Sequence, residues 1–420
     1  MAIEYSSGVT PYVRIRTNPA VYLVRVYFDD SVSGATNCYV IDDGDERLIV
    51  DAGMETILSI DTWMHALRGI GGHPKKVTVF LTHLHRDHAS LIPHLYRTMM
   101  HDVPVLVPRE NYEDFLNKEK PEYMAALTER RRLEDLPDYD IREFALAGPH
   151  YYSDLTALPT LELVEDGTVI QVGRYLFKVI VTSGHTQGHA CLYSRELGLL
   201  FSGDHILTSV SPVIGFELDT DSEAQYLDSL ERMNRLHIAQ LLPGHGEISD
   251  DAHERIVRLA NHRRKRLARV YEIVAKTPGI TGGKVINTIG WNPRFGAWAG
   301  MPLNLRMCLA EMTFTELAHL ESTGHIKRQE IGGLYRYEAV TSFQQSEPAG
   351  MCPDEISGVD MADDVGEFAH DEIRATTFNL PAWMTEVILN RANASGVSAN
   401  EYLMTLIADE LNREAGENLR

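Results

Sequence analysis

The stretch that most constrains this chain is Thr82-His83-Leu84-His85-Arg86-Asp87-His88, which places three imidazoles and a carboxylate within six residues, directly behind the apolar run Val77, Val79, Phe80 and Leu81. Such a run reads as a buried strand. Polar groups crowded behind a buried strand are costly unless something binds them. Neutral imidazole nitrogen and carboxylate oxygen are the usual donors to zinc, iron and manganese, so the string predicts a metal site at a strand end. A histidine-rich surface loop accounts for one or two of these histidines, but not for the full H-x-H-x-D-H order.

The arrangement recurs downstream. Strands expected over 168–172 and 176–181 lead into Gly184-His185-Thr186-Gln187-Gly188-His189, Leu199-Leu200-Phe201 leads into Ser202-Gly203-Asp204, and 238–242 leads into Pro243-Gly244-His245-Gly246. Each potential ligand sits just past an apolar strand, so one edge of the sheets would gather them all. Upstream, 21–28 reads as a strand, and 37–41 with 48–50 as a hairpin across Asp42-Asp43-Gly44-Asp45 that ends in Asp51-Ala52-Gly53. Asp51 has two readings of equal weight: it orients metal ligands from behind, or it caps the helix expected over 56–67. Another helix is expected over 88–100. Residues 110–159 are charged and aromatic, and read either as a helical insertion that covers the site or as a surface excursion packed on itself.

Taken in order, Asp51-Ala52-Gly53, the H-x-H-x-D-H string, Gly184-His185-Thr186, Ser202-Gly203-Asp204 and Pro243-Gly244-His245-Gly246 resemble the metallo-β-lactamase superfamily. The resemblance implies an α+β fold, a four-layer αββα sandwich over residues 1–250 with an insertion at about 110–160. It also implies two divalent ions, zinc by default with iron or manganese as alternatives. His83, His85 and His185 would bind one ion, Asp87, His88 and His245 the second, and Asp204 would bridge them. Asp87 and Asp204 are then also catalytic, Asp87 by orienting a metal-bridging hydroxide. His189 and Asp51 would stand behind the ligands, and His189 is in addition a candidate to assist the leaving group. The diiron flavoprotein branch carries glutamate where His85 stands, and true β-lactamases lack an aspartate at the position of Asp204. The ligand set is therefore similar to that of the thioesterase, lactonase and phosphodiesterase branches.

A length of 420 residues allows two or three domains. Past 251, the basic helical stretch 252–275, the helix 305–322 and a Gly332-Gly333 hairpin look like a winged helix over 251–340. The arginines of 252–275 read as a solvated face paired with acidic neighbours, in preference to a phosphate or RNA contact. Residues 341–373 hold nine acidic residues between Glu347 and Glu372 and read as a flexible linker. Residues 374–420 are similar to a ribbon-helix-helix module, too small to bury a core alone, which implies a homodimer.

A formal net charge of −21 works against nucleic acid as the default partner. With 44% apolar residues and no apolar run near the length of a membrane span, a soluble, cytoplasmic protein without a membrane partner is expected. The scattered Cys38, Cys191, Cys308 and Cys352 argue for buried thiols over a disulfide framework. The leading expectation is a dinuclear hydrolase acting on an ester, thioester or lactone of a small metabolite. The alternatives are a single-strand RNA phosphodiesterase, a mono-iron oxidoreductase resembling the persulfide dioxygenases, and a DNA-binding regulator.

Overall fold

The computed structural model describes residues 11–28, 34–146, 153–290 and 298–340. The acidic linker, the ribbon-helix-helix-like segment and Cys352 lie outside them. Seven strands form the first sheet in sequential order: β1 (Tyr12–Thr17), β2 (Ala20–Tyr27), β3 (Ala35–Asp42), β4 (Glu46–Val50), β5 (Lys76–Phe80), β6 (Val105–Pro108) and β7 (Leu161–Val164). Pairing is antiparallel through β4 and parallel from β4 to β7. The second sheet comprises β8 (Val169–Val172), β9 (Tyr175–Val181), β10 (Ala190–Ser194), β11 (Leu199–Gly203) and β12 (Gln240–Pro243), in the order β12-β11-β10-β9-β8.

Both faces of each sheet are covered, which is why the strands read as nearly continuous apolar runs. Along β3, Tyr39 and Ile41 point between the sheets to meet Phe177, Phe201 and Leu242, while Cys38 and Val40 point the other way. That outer face is covered by α1 (Ile57–Ile70), α2 (Arg86–Ala89) and α3 (Ile92–Thr98) through Trp63, Ala66, Ala89 and Leu95. On the far side, Cys191, Tyr193 and Leu200 meet α8 (Ser222–Asn234) and the first half of α9 (Ala252–Lys276) through Tyr226, Leu230, Ile256 and Leu259. The period-two alternation thus sorts residues into four layers, αββα.

The helix expected over 88–100 comes in two pieces. It starts earlier, at Arg86, and restarts at Ile92 with Pro93 in the first turn, where the missing N–H costs nothing. The insertion is helical: α4 (Arg109–Lys118), α5 (Pro121–Leu133), α6 (Asp138–Leu146) and α7 (Ser153–Thr156). Past α9 come α10 (Gly282–Thr288), α11 (Leu303–Ser322) and the hairpin β13 (Ile326–Ile331) and β14 (Leu334–Ala339). Helix α9, expected wholly in the unit from 251 onward, packs its first half on the second sheet, while its second half, through Leu267, Val270 and Val274, shares one core with Leu127 and Phe144 of the insertion, Phe314 and Leu317 of α11, and Tyr337 of β14.

The basic face expected on α9 is only partly solvated. Arg263 and Arg266 are buried, bonded to Glu223 of α8 and Glu316 of α11, so two arginines and two glutamates neutralise one another inside a three-helix junction.

Candidate metal centre

The ligand-bearing turns meet at one edge because the chain leaves β5, β9, β11 and β12 in that direction. His83 follows β5, His185 follows β9, Asp204 follows β11 and His245 follows β12, while His189 precedes the antiparallel β10. Asp87 and His88 lie in the first turn of α2. The turn at Gly244 runs close enough that a Cβ there would come within 2.6 Å of Asp204 Oδ1 and 2.8 Å of His88 Cε1.

Three groups of donors converge: His83, His85 and His185; His83, His88 and Asp204; and Asp87, His88 and His245, each with its ligand atoms within 4.8 Å of one another. Asp204 lies between them, with Oδ1 3.3 Å from His88 Nε2 and Oδ2 3.6 Å from His185 Nε2 and 3.5 Å from His245 Nε2. Asp87 Oδ2 is 3.1 Å from His245 Nε2.

The outer ring nitrogens are taken. His185 Nδ1 donates to Val213 O at 2.7 Å, His245 Nδ1 to Ala35 O at 2.7 Å, and His88 Nδ1 to Asp51 Oδ2 at 2.8 Å. This turns their inner Nε2 atoms into the cluster, where a ligand to a metal would have to be unprotonated. Two pairs of inner nitrogens then face each other, His185 with His85 at 3.0 Å and His88 with His245 at 3.2 Å. In addition, among the described residues His83 Nε2 and Asp204 Oδ1 are buried without a hydrogen-bond partner. Ring nitrogens packed against one another, and buried acceptors left open, fit divalent cations.

Electrostatics point the same way. Burial with His88 and His85 holds His83 well below the usual imidazole range, and crowding by the protein around it with the neighbouring His185 shifts the more exposed His85 the same way, toward the neutral form that ligands need. Burial also penalises a charged His245, but Asp204 and Asp87 outweigh it and hold the ring up at about 10. The two carboxylates thus draw positive charge to that corner.

Asp51 resolves in favour of orientation. It is buried at a positive φ of 59° and accepts from Thr82 N–H at 2.8 Å and from His88 Nδ1–H at 2.8 Å. The helix that follows is capped by Thr56, whose side chain accepts from Ser59 N–H. His189 lies beneath the Asp204 turn. Its ring is fully buried, with Nδ1 bonded to Thr182 Oγ1 at 2.8 Å and Nε2 accepting from Asp204 N–H at 3.1 Å, so one nitrogen holds the end of β9 and the other the Asp204 turn. Two supporting residues escaped the sequence reading. Asn37 bonds Pro243 O and Gly246 O on either side of His245, and a buried asparagine inside an apolar strand was the available signal. Asn111 of α4 bonds Leu84, Thr186 and Gln187, and nothing in its charged surroundings marks it.

Comparison with known proteins agrees with this geometry. The family model described as the metallo-beta-lactamase superfamily matches residues 32–245, just over half of the 420 residues. The chain belongs to the metallo-beta-lactamase superfamily. Among superfamily relatives, a beta-lactamase-like protein 2 homolog of Caenorhabditis elegans is 25% identical over 313 residues, 71% of this chain and 89% of that protein. An acyl-coenzyme A thioesterase of Gallus gallus is 24% identical over 58% of this chain and 82% of its own. An atrochrysone carboxyl ACP thioesterase of Aspergillus fumigatus is 22% identical over 55% of this chain, and the match spans only 57% of that protein. In solved structures, the superfamily fold recurs in a beta-lactamase domain protein from Burkholderia ambifaria, with TM-score 0.67 and 22% identity over 80% of this chain and 97% of that one. It recurs also in a metallo-beta-lactamase family protein from Thermus thermophilus, with TM-score 0.62 and 24% identity over 76% of this chain and 98% of that one.

Proposed function

We propose that this protein is a metal-dependent hydrolase of thioesters, with a small acyl metabolite as substrate and two ions in the site. The observation that carries the reading is the pair of histidine-rich donor groups joined by Asp204, each with inner nitrogens facing one another. His83, His85 and His185 would hold one ion, Asp87, His88 and His245 the other, with Asp204 shared. Ions held there would supply Lewis acidity and an acidified water. The names of the thioesterase relatives support a thioester over a plain ester or lactone.

The chain's own groups divide the remaining work. Asp87, with 22% of its side chain exposed against 10% for Asp204, is the more exposed of the two carboxylates and would accept a proton from attacking water. Asp51, Val213 O and Ala35 O keep His88, His185 and His245 in the ligating tautomer. His189 holds the Asp204 turn.

The order α10, α11 and hairpin supports a winged-helix-like unit, which we assign a structural role. The basic residues that favoured RNA are engaged within the protein: Arg255 with Leu207 O and Val210 O, Arg258 with Glu254, and Arg263 and Arg266 with buried glutamates. Among the described residues, no helix is long and apolar enough to cross a membrane. The homodimer proposed from residues 374–420 is tested by sizing the full chain with and without them.

The deciding experiment is metal counting on the purified chain together with a panel of acyl-coenzyme A, ester, lactone and RNA substrates. Two divalent ions per chain and thioester cleavage that disappears on chelation are expected. One iron with oxygen consumption, or cleavage of RNA alone, would overturn the proposal.

A further inference from the structure

We infer that Asn111 is a positioning residue for one of the two metal groups: its amide sets the separation of the loop carrying His83 and His85 from the loop carrying His185. The inference rests on the two-ion reading above. It begins in the sheet. Strand β6 runs parallel to β5 with Val79 opposite Val105 and Phe80 opposite Leu106, so the chain leaving β6 at Pro108 emerges on the edge where the H-x-H-x-D-H string begins. Helix α4 starts at once, at Arg109, and Asn111 lies in its first turn, 3% exposed.

From there the side chain reaches both ligand loops. Oδ1 accepts from Leu84 N–H at 2.8 Å, the peptide between the two ligand histidines. Nδ2 donates to Gln187 O at 2.6 Å and to Thr186 Oγ1 at 3.0 Å, directly after His185. An asparagine amide offers an acceptor and two donors in one plane, and all three functions are used here. Aspartate would keep the acceptor and lose both donors; alanine would strand a buried N–H and a buried carbonyl.

A separate observation shows how closely the two parts are fitted. Gly188, at φ +66°, lies so near α4 that a Cβ there would stand 2.2 Å from Asn111 N and 2.5 Å from the Glu110 carbonyl carbon. The first turn of α4 therefore sits against bare backbone of the His185 loop, and Asn111 spans the gap to the other loop. Among the described residues its side-chain bonds go to Leu84, Thr186 and Gln187, and none goes to Asp87, His88 or His245. Its loss should loosen one metal group and spare the other.

The test uses the full zinc-loaded chain, dialysed against graded chelator, with zinc per chain counted and the thermal midpoint of the stripped chain recorded. Asn111→Ala should weaken one zinc equivalent by about 10- to 100-fold, the range for residues that orient a ligand, and leave the other unchanged. Asn111→Asp should weaken the same equivalent, and Thr186→Val, which removes a single bond, should do so least. Unchanged affinity for both equivalents, or parallel weakening of both with a lowered midpoint of the stripped chain, would overturn the inference. A wild-type chain that holds one ion would overturn the two-ion reading instead; Asn111 is then judged on that ion alone, and an unaltered affinity in Asn111→Ala sinks it.

Discussion

The metal edge of the two sheets and the helical body formed by the insertion with α9 to α11 both bury many charged groups, and they do so in opposite ways. At the edge, His83 Nε2 and Asp204 Oδ1 are left without partners among the described residues, and inner imidazole nitrogens face each other. In the body, Arg263 and Arg266 are matched to Glu223 and Glu316, Arg131 to Glu311, and Lys118 to Asp114 and Glu217. The first cluster is complete only when cations enter it. In the second, the arginines and the lysine each face a carboxylate of opposite charge, although Arg131 Nη1 and Glu134 Oε2 are also buried without a partner among the described residues, and an ion pair of that kind holds a junction together without offering anything to a ligand. Burial of charge alone therefore does not mark a site; donors of one kind converging on one another do.

That contrast can be broken by substitutions that ought to separate activity from stability. The largest effects belong at the edge. Asp204→Ala and His85→Ala should each lower thioester turnover by at least about 10²–10³-fold while the stripped chain unfolds at the wild-type midpoint; retained turnover in either would remove the metal reading. Next comes the body. Arg263→Met leaves Glu223 buried and without its guanidinium, and should cost about 3–5 kcal/mol of stability in denaturant titration with zinc content per folded chain unchanged. A loss of metal without loss of stability would show that the junction belongs to the site after all. A smaller effect is expected where the two regimes meet: Asp51→Ala, which frees the His88 ring, should weaken zinc binding by about 10- to 100-fold, read by chelator competition.

The smallest effect is a pH dependence in the body. Burial disfavours a charged His319, but Asp221 at 3.0 Å outweighs it, with help from Glu223 and against Arg263, so the imidazole titrates above its ordinary value. A raised folded value contributes stability that is fully present below the unfolded value of about 6.5 and is lost as the pH rises through the folded one. The stability gap between wild type and His319→Gln should thus be widest near pH ~6 and narrow toward pH ~9. A gap that widens with pH would reverse the assignment.

Much of the edge was legible in the sequence because its chemistry is local. His83 to His88, His185, Asp204 and His245 each sit behind an apolar strand, and strand direction carries them to one edge whatever lies elsewhere in the chain. Asp51 was legible only as an ambiguity, since a carboxylate at a strand end serves a helix cap or a histidine equally well; the Thr56 cap and the bond to His88 decided it. His189 was legible as a group behind the ligands, but its bonds to Thr182 and to the Asp204 N–H came only from the fold.

The helical body was the less legible part. The arginines of α9 alternate with apolar residues as a solvated helix does, and nothing local says that Arg263 and Arg266 find glutamates forty or more positions away. Asn111 carries no signal in a segment full of polar residues.

By itself, the sequence determined the strands, the order of the donors and their convergence, because alternation and residue type act over a few positions. The tertiary structure alone decided which carboxylate orients which imidazole, which charges cancel, and that the insertion ties the ligand loops together, because those outcomes depend on contacts between residues far apart in the chain.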